Sequence, residues 1–176
     1  MAQGDNDNKA DAMVGGLSKD ELRRRAALAK QVSSSFGDIV TLLMRSESER
    51  GRTLADLEWM VVPAMQSGQF AVAEAQSKDT GIVAPMGVVL WAMVSAEIDT
   101  RLSANIDKPF KLEPTDWRSG DIPWIIAAFG DTKVVGQLFE QLSKTVFAKQ
   151  PAKLRARGEG GKPFIGRLEP KPTKSS

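Results

Sequence analysis

Apolar residues recur along this chain with two periods, which separate helices from strands. Between Leu22 and Arg45 they return every three or four residues, which is typical of one face of an α-helix. Between Gln69 and Ala75, in QFAVAEA, other residues alternate with alanine, as expected for a β-strand. The pattern therefore predicts a chain that begins with helices and continues as a sheet.

Capping residues indicate where the first helix begins. Ser18 and Glu21 have the S-x-x-E spacing of a capping box, which satisfies free backbone N–H groups at a helix start. The serine run Ser33–Ser35 and Gly37 have low helix propensity. We therefore expect them to interrupt this helix before a second helical stretch that ends near Arg45.

Two further long helices are predicted from a capping residue followed by an apolar face. Thr53 precedes one that bends or ends at Pro63, and Asp131 precedes one that continues to about Phe147. A shorter capped helix is expected at residues 95–102. The residues expected on the buried faces of the two long helices are Leu54, Leu57, Val61, Val62, Val134, Val135, Leu138, Leu142 and Val146.

Several segments have strand character. Residues 69–95 are predicted to form a β-hairpin with its turn at Ser77–Gly81, and Trp124–Phe129 to form a buried strand. Two more strands are expected at residues 151–157 and 162–168, on either side of a glycine-rich turn. This element order predicts an α+β fold, a twisted mixed sheet covered by helices.

The length and composition suit one globular domain. The chain has 176 residues, of which 41% are hydrophobic and 26% charged. We place the domain at residues 17–168, between a disordered N-terminal arm at 1–16 and a disordered basic tail at 169–176.

The composition also excludes several chemistries. The chain contains no cysteine and no histidine, which excludes disulfides and thiolate metal sites and removes the usual general base, so we expect no bound metal. The longest apolar stretch, Ile82–Val94, is broken by Pro85 and Gly87 and is too short to span a bilayer. With no secretory signal in the first residues, the expected location is cytoplasmic.

The net charge of +2 hides an asymmetry along the chain. From Lys144 onward there are nine basic and two acidic residues, a net charge of +7, whereas the preceding part has 15 basic and 20 acidic residues, a net charge of −5. Such a basic end attracts an acidic protein, a nucleic acid or a phosphate-bearing ligand, or is simply a solvated tail.

The segment MRSESERG, from Met44 to Gly51, places two serines and two carboxylates within four residues. Serine is a weak nucleophile unless a base takes its proton, and the usual base is imidazole. Two interpretations are therefore open: an active site without its customary base, or a polar helix end whose serines bond to the local backbone.

Three segments together resemble the RTX toxin-activating lysine acyltransferases, between about residues 36 and 157. The first resembles the family's Ser-x-x-His-Arg and is Ser46-Glu47-Ser48-Glu49-Arg50 here. The second is an apolar helix followed by Gly-Gln-Phe, LEWMVVPAMQSGQF, from Leu57 to Phe70. The third is Asp-Trp-x-Ser-Gly-Asp at Asp116–Asp121, followed by Trp124 and by Phe129-Gly130-Asp131.

This resemblance implies a function and a fold. The expected reaction moves a fatty acyl group from acyl carrier protein to internal lysines of an RTX-type protoxin, an activation that leads to hemolysis and cytolysis. It implies no bound cofactor, because the acyl chain arrives on the carrier's phosphopantetheine arm. The implied fold is a GNAT-like domain, which allows a homodimer. The arm is expected between splayed strands at residues 123–129 and 151–157.

The resemblance also implies catalytic residues, and this chain differs from the family at two of those positions. Ser46 matches the family's serine, whereas Glu49 occupies the histidine position and Ala127 the aspartate position. Glu49 is a candidate for the general base, since a carboxylate in a suitable environment can accept a proton. Arg50 is expected to oppose this role by pairing with the carboxylate.

Other polar residues are candidate donor or substrate contacts. Four of them belong to the Asp-Trp-x-Ser-Gly-Asp segment: Asp116, Trp117, Ser119 and Asp121. The alternative role of the two aspartates is to form the turn around Ser119, and that of Trp117 is to pack in the core. Asp121 is also a candidate to replace the missing aspartate. Arg155 and Arg157 share one face of a strand, which either is solvated or binds a phosphate or an acidic helix of acyl carrier protein.

Two other functions compete with acyl transfer. One is a catalytically impaired relative that binds acyl carrier protein or the RTX protein as an adaptor, consistent with the missing histidine and aspartate. The other is nucleic-acid binding through the basic end, which lacks a recognisable motif and lacks interleaved aromatic residues beyond Phe164, so we expect no nucleic-acid partner.

Overall fold

The computed structural model describes residues 13–14, 17–104 and 106–172, in two compact units that meet between Gly37 and Asp38. The first unit contains a short antiparallel pair, β1 (Met13–Val14) and β2 (Leu17–Ser18), and the first part of helix α1 (Lys19–Arg45). Most of the arm predicted at residues 1–16, and residues 173–176 of the predicted tail, lie outside the described residues.

Helix α1 begins with the predicted capping box. Glu21 Oε2 accepts hydrogen bonds from the backbone N and the Oγ of Ser18, at 2.8 and 2.9 Å, and Glu21 N donates to Ser18 Oγ at 3.2 Å. The hydrogen bond from the Ser18 backbone, and after it the one from the Ser18 hydroxyl, lower the pKa of Glu21 below its ordinary value. The predicted interruption at Ser33–Ser35 is wrong, because α1 continues to Arg45. Each serine costs less than about 0.7 kcal/mol of helix propensity, which a long helix tolerates.

The second unit contains the elements α2 (Leu54–Ser67), β3 (Phe70–Gln76), β4 (Val83–Val94), α3 (Ala96–Ala104), β5 (Ile122–Gly130), α4 (Thr132–Lys144), β6 (Ala152–Arg157) and β7 (Pro163–Leu168). Its strands form a five-stranded sheet in the order β3-β4-β5-β6-β7. Neighbouring strands are antiparallel except β5 and β6, which are parallel and connected through helix α4. The predicted α+β class, hairpin and strands are confirmed. None of the described helices has the length and apolarity needed to cross a membrane.

Helix α2 begins as predicted but differs in its interior. Thr53 caps it and Asp56 completes a capping box, whose hydrogen bonds lower the pKa of Asp56. Pro63 lies inside the helix, which continues to Ser67 at the cost of one backbone hydrogen bond. Leu54, predicted to be buried, is 84% exposed because it lies at the first position of the helix and faces solvent.

Helix α4 packs on the sheet through the predicted apolar stripe. Leu138 and Leu142 are buried with Val89, Trp91 and Phe147 in a core cluster. The last predicted member, Val146, is 47% exposed, because the helix ends at Lys144 and the following turn directs Phe147 inward instead.

Strands β5 and β6 separate soon after they meet. Among the described residues they pair through Trp124 with Lys153 and Ile125 with Leu154. At the same point the β4–β5 register shifts, since Leu90 pairs with Ala127 but Trp91 with Ile125, so Ile126 is an extra residue on β5. A β-bulge bends its strand. The bulge thus explains why the two strands diverge and leave a groove between them.

Gly130 ends β5 in a conformation that other residues avoid. Its φ is +120°, and an added Cβ would collide with the Met86 carbonyl oxygen. We expect Gly130→Ala to destabilise the fold by about 1–3 kcal/mol, seen as a lower midpoint in thermal unfolding. Gly136→Ala in α4, where a Cβ meets nothing within 4 Å, is the control and should be neutral or stabilising. Equal midpoints for the two variants would contradict the prediction.

Candidate active site

The diverging strands enclose a cavity of about 460 Å³, which we call the β5–β6 groove. Its walls are β5 from Ile125 to Gly130, Leu154 and Arg155 of β6, and three residues of α4. Glu49 and Arg52, from the loop that follows α1, complete the lining. The groove therefore combines apolar walls with a carboxylate and a guanidinium, as small-molecule sites commonly do.

Glu49 is held at the groove by two partners. Its Oε2 accepts a hydrogen bond from Arg52 Nε at 2.5 Å, and its Oε1 accepts one from Ser48 Oγ at 3.3 Å. The side chain is 21% exposed. The expected pairing with Arg50 is replaced by one with Arg52, because the turn after α1 brings residues three apart together, whereas Arg50 is exposed.

Ser46 lies at the end of α1 and lines a second, smaller cavity of about 220 Å³, together with Met86, Gly130 and Asp131 among others. Its backbone N donates to Leu42 O and Leu43 O, at 3.1 and 3.2 Å, and these bonds close the last turn of the helix. Gly130 borders both this cavity and the β5–β6 groove.

A chain of hydroxyl contacts connects Ser46 to Glu49. Ser46 Oγ lies 3.1 Å from Ser48 Oγ, which donates to Glu49 Oε1. With Ser46 as the donor in the first contact, all the hydrogen bonds run in one direction and end on the carboxylate. The sequence motif indicated Ser46 and Glu49 but missed Ser48 and Arg52, although the (i, i+3) spacing of Glu49 and Arg52 was a usable signal.

Ala127 lines the β5–β6 groove, opposite Leu90 in the β4–β5 ladder. The Asp-Trp-x-Ser-Gly-Asp segment, in contrast, precedes the other end of β5, at Ile122. Eight residues of strand separate Ile122 from Gly130, roughly 26 Å. The structure thus brings Ser46, Glu49 and Ala127 to the Gly130 end of β5 and leaves Asp116–Asp121 at the opposite end.

The residues of that segment make structural contacts. Asp116 Oδ2 accepts hydrogen bonds from Arg101 Nη2 at 2.6 Å and from Glu113 N at 3.0 Å. Ser119 Oγ donates to Asp116 O and accepts from the backbone N of Ser95, both at 2.9 Å. These contacts fasten the loop to Ser95, which precedes α3, and to Arg101 in the last turn of α3.

The remaining two residues of the segment do not line either cavity. Trp117 is 1% exposed and its backbone O accepts from Met93 N, so it belongs to the core and not to a groove wall. Asp121 is exposed, and its backbone O accepts a hydrogen bond from Gln150 Nε2.

Arg155 and Arg157 line a third cavity, of about 300 Å³, which we call the basic cavity. Arg155 donates from Nε and Nη2 to Leu102 O, at 3.2 and 2.6 Å, and from Nη1 to Lys108 O at 2.7 Å. Its guanidinium lies 4.5 Å from the centre of the Phe110 ring. Burial lowers the pKa of Arg155 from its ordinary value, which is so high that the group stays charged. Arg155 also lines the β5–β6 groove, whereas Arg157 lines the basic cavity.

Because the chain has no histidine or cysteine, its acidic side chains are its main potential metal ligands. Within residues 13–14, 17–104 and 106–172, no group of three or more acidic side chains is placed to hold a metal ion. The site consists of hydroxyl, carboxylate and guanidinium groups and of the edge of β5 that does not pair with β6 among the described residues.

Comparison with protein-family models identifies the family of most of the chain. The model of the RTX toxin acyltransferase family (HlyC) matches residues 28–164, which is 137 of the 176 residues. This range includes Ser46, Glu49 and the whole of β5 and β6. No curated protein matches the chain. The chain belongs to the RTX toxin acyltransferase family, and its expected activity is toxin-activating acyl transfer.

Proposed function

We propose that this protein transfers a fatty acyl group from acyl carrier protein to internal lysines of an RTX-type protoxin. Membership of the family supports acyl transfer in general. The proposal adds that acyl carrier protein is the donor and that lysines of the protoxin are the acceptors. The observation that carries it is the β5–β6 groove, which reaches Glu49 at the Gly130 end of β5. A GNAT-like relationship, a homodimer and a cytoplasmic location stay predictions from the resemblance and the sequence.

The groove suits an acyl chain on a pantetheine arm. Ile125, Ala127, Phe129 and Leu154 give it apolar walls. If each non-hydrogen atom occupies roughly the 30 Å³ of a liquid water molecule, the groove has room for about fifteen such atoms, which is part of an acyl chain and its arm and not the whole of both. Beyond Ile125 the edge of β5 no longer pairs with β6, so its backbone groups are available to the arm's amides, as in peptide addition to a sheet edge.

The reaction is aminolysis of a thioester. The lysine nitrogen forms a bond to the thioester carbonyl carbon, the carbon–sulfur bond breaks, and the departing sulfur takes up a proton, so that in the balance one proton moves from the nitrogen to the sulfur. The nitrogen must lose a proton as it bonds. We propose that this proton passes to Ser46 Oγ while Ser46 donates to Ser48 and Ser48 to Glu49, so that the carboxylate is the final base.

The ion pair with Arg52 does not prevent this role. A carboxylate oxygen has two lone pairs, and the bonds from Ser48 and Arg52 use one on each oxygen. Arg52 instead orients the carboxylate towards the serines. General base catalysis contributes about 10²- to 10⁴-fold, and positioning of the thioester and the amine contributes independently of it.

The test is single-turnover transfer with radiolabelled acyl carrier protein and the candidate protoxin. The expected result is loss of the label from the carrier and an equal gain on protoxin lysines, located by mass spectrometry. Ser46→Ala is expected to slow transfer while carrier binding persists. Binding of the carrier without any transfer by the wild-type protein would overturn the proposal in favour of the adaptor.

A further inference from the structure

The basic cavity carries an excess of positive charge. It is lined by three cations, Lys108, Arg155 and Arg157, against one carboxylate, Asp107. Phe110, Pro109 and Pro163 form its apolar walls. Converging cations beside apolar surface attract an anion more strongly than cations in open solvent do, because the local dielectric constant is lower.

Two of the three cations can contact a ligand, whereas the third, Arg155, stabilises the protein structure around the cavity. Arg155 uses Nε, Nη1 and Nη2 on the carbonyls of Leu102 and Lys108, so it anchors the loop that carries Lys108 and Phe110. Within the described part of the chain Arg157 makes one side-chain hydrogen bond, from Nη1 to Gly161 O at 3.0 Å, so its other N–H groups can contact a ligand. The Lys108 side chain is exposed at the rim.

The cavity adjoins the β5–β6 groove through Arg155, which lines both. A ligand can therefore place an anionic group in the basic cavity and extend an uncharged arm into the groove. A phosphopantetheine thioester has this form, with a phosphate at one end and the reactive carbonyl at the other.

The alternative phosphate site near the groove is already occupied. The N-terminus of α4 adjoins Gly130, and a helix N-terminus commonly binds phosphate. Here Asp131 Oδ1 accepts the hydrogen bonds from Lys133 N and Val134 N, both at 3.0 Å. A carboxylate on these N–H groups repels a second anion, which leaves the basic cavity as the favourable place.

We infer that the basic cavity binds the phosphate of the donor's phosphopantetheine arm, with Arg157 and Lys108 as the contacting cations. The inference rests on the proposed function for the identity of the donor. The recognised chemistry, a phosphate ester of pantetheine, is shared by acyl carrier protein and coenzyme A, so acyl transfer from each of these donors is measured beside the titration.

The test compares two ligands that differ by the phosphate alone, 4′-phosphopantetheine and pantetheine, by calorimetric titration of the full chain. Wild type should bind phosphopantetheine about tenfold more tightly, and the double variant Lys108→Gln/Arg157→Gln should lose this preference. The control is Arg167→Gln, an exposed cation on β7 outside the cavity, which should behave as wild type. Thermal unfolding of each variant confirms that it is folded.

Each other outcome has a defined meaning. Equal affinities in wild type, a preference that persists in the double variant, or its loss in Arg167→Gln would overturn the inference. If the preference for phosphopantetheine is lost in the double variant alone, the inference about the basic cavity is supported. This holds even if no acyl transfer is seen, a result that would overturn only the proposed function. If acyl-coenzyme A replaces acyl carrier protein as the donor that supports transfer, the phosphate site stands and the proposed donor is wrong.

Discussion

Replacing Glu49 with glutamine should slow acyl transfer by about 100-fold or more in single turnover. The amide keeps the size of the carboxylate but cannot take up the proton that leaves the lysine nitrogen, so the contribution of general base catalysis is lost. The measurement is the rate at which label moves from acyl carrier protein to lysine. Carrier binding should be unchanged, because Glu49 lies at the Gly130 end of the groove.

Glu47→Gln is the matched control for this variant. Glu47 is exposed, two residues earlier in the same turn, and the substitution makes the same change in charge and shape. It should transfer at the wild-type rate. Equal rates for Glu49→Gln and wild type would show that Glu49 is not the base and would remove the basis of the Ser46–Ser48–Glu49 relay.

Replacing Ala127 with phenylalanine should abolish transfer of long acyl chains, with a loss of at least about 100-fold. Ala127 lines the β5–β6 groove, and a benzyl group there would occupy the volume that we assign to the acyl chain and the arm. Shorter acyl chains should be affected less, because they need less of the groove. The measurement is transfer rate against acyl chain length, with thermal unfolding as the check on folding.

Ala75→Phe tests whether any such effect is specific to the groove. Ala75 is exposed on β3, at the edge of the sheet away from β6, so the same substitution there should leave transfer unchanged. An Ala127→Phe variant that is folded and transfers long chains at the wild-type rate would show that the acyl chain lies elsewhere.

The two predictions separate chemistry from binding. Glu49→Gln changes a proton acceptor and should act on the rate of the chemical step, whereas Ala127→Phe changes the shape of the groove and should act on donor binding. An effect at one residue without the other would therefore remove either the base or the acyl-chain site from the proposal and leave the other in place.

Local structure was largely predictable from the sequence. The capping boxes at Ser18 and Thr53, the Asp131 cap and the β-hairpin depend on residues close together in the chain, so their side chains find backbone partners without help from the rest of the fold. The errors came where packing overrides propensity. The serine run stays helical within α1, and Leu54, although apolar, faces solvent.

The candidate site was predictable in part. Ser46 and Glu49 are three residues apart, and their motif alone indicated them. Asp116 and Trp117 were indicated by the same resemblance, but the structure places them beside α3 and in the core. Sequence distance could not reveal this, because Asp116 and Gly130 are separated by a whole strand.

The sequence by itself determined the element types, the helix starts, the absence of imidazole and thiol chemistry, and the resemblance that the family match confirms. Only the tertiary structure decided that Ile126 forms a bulge, that β5 and β6 separate after two residue pairs, and that Arg155 anchors a distant loop through its carbonyls. The physical reason is that capping and periodicity act between near neighbours, whereas strand register and the path of the partly buried Arg155 guanidinium depend on partners about 30 to 50 residues away, which meet only in the folded chain.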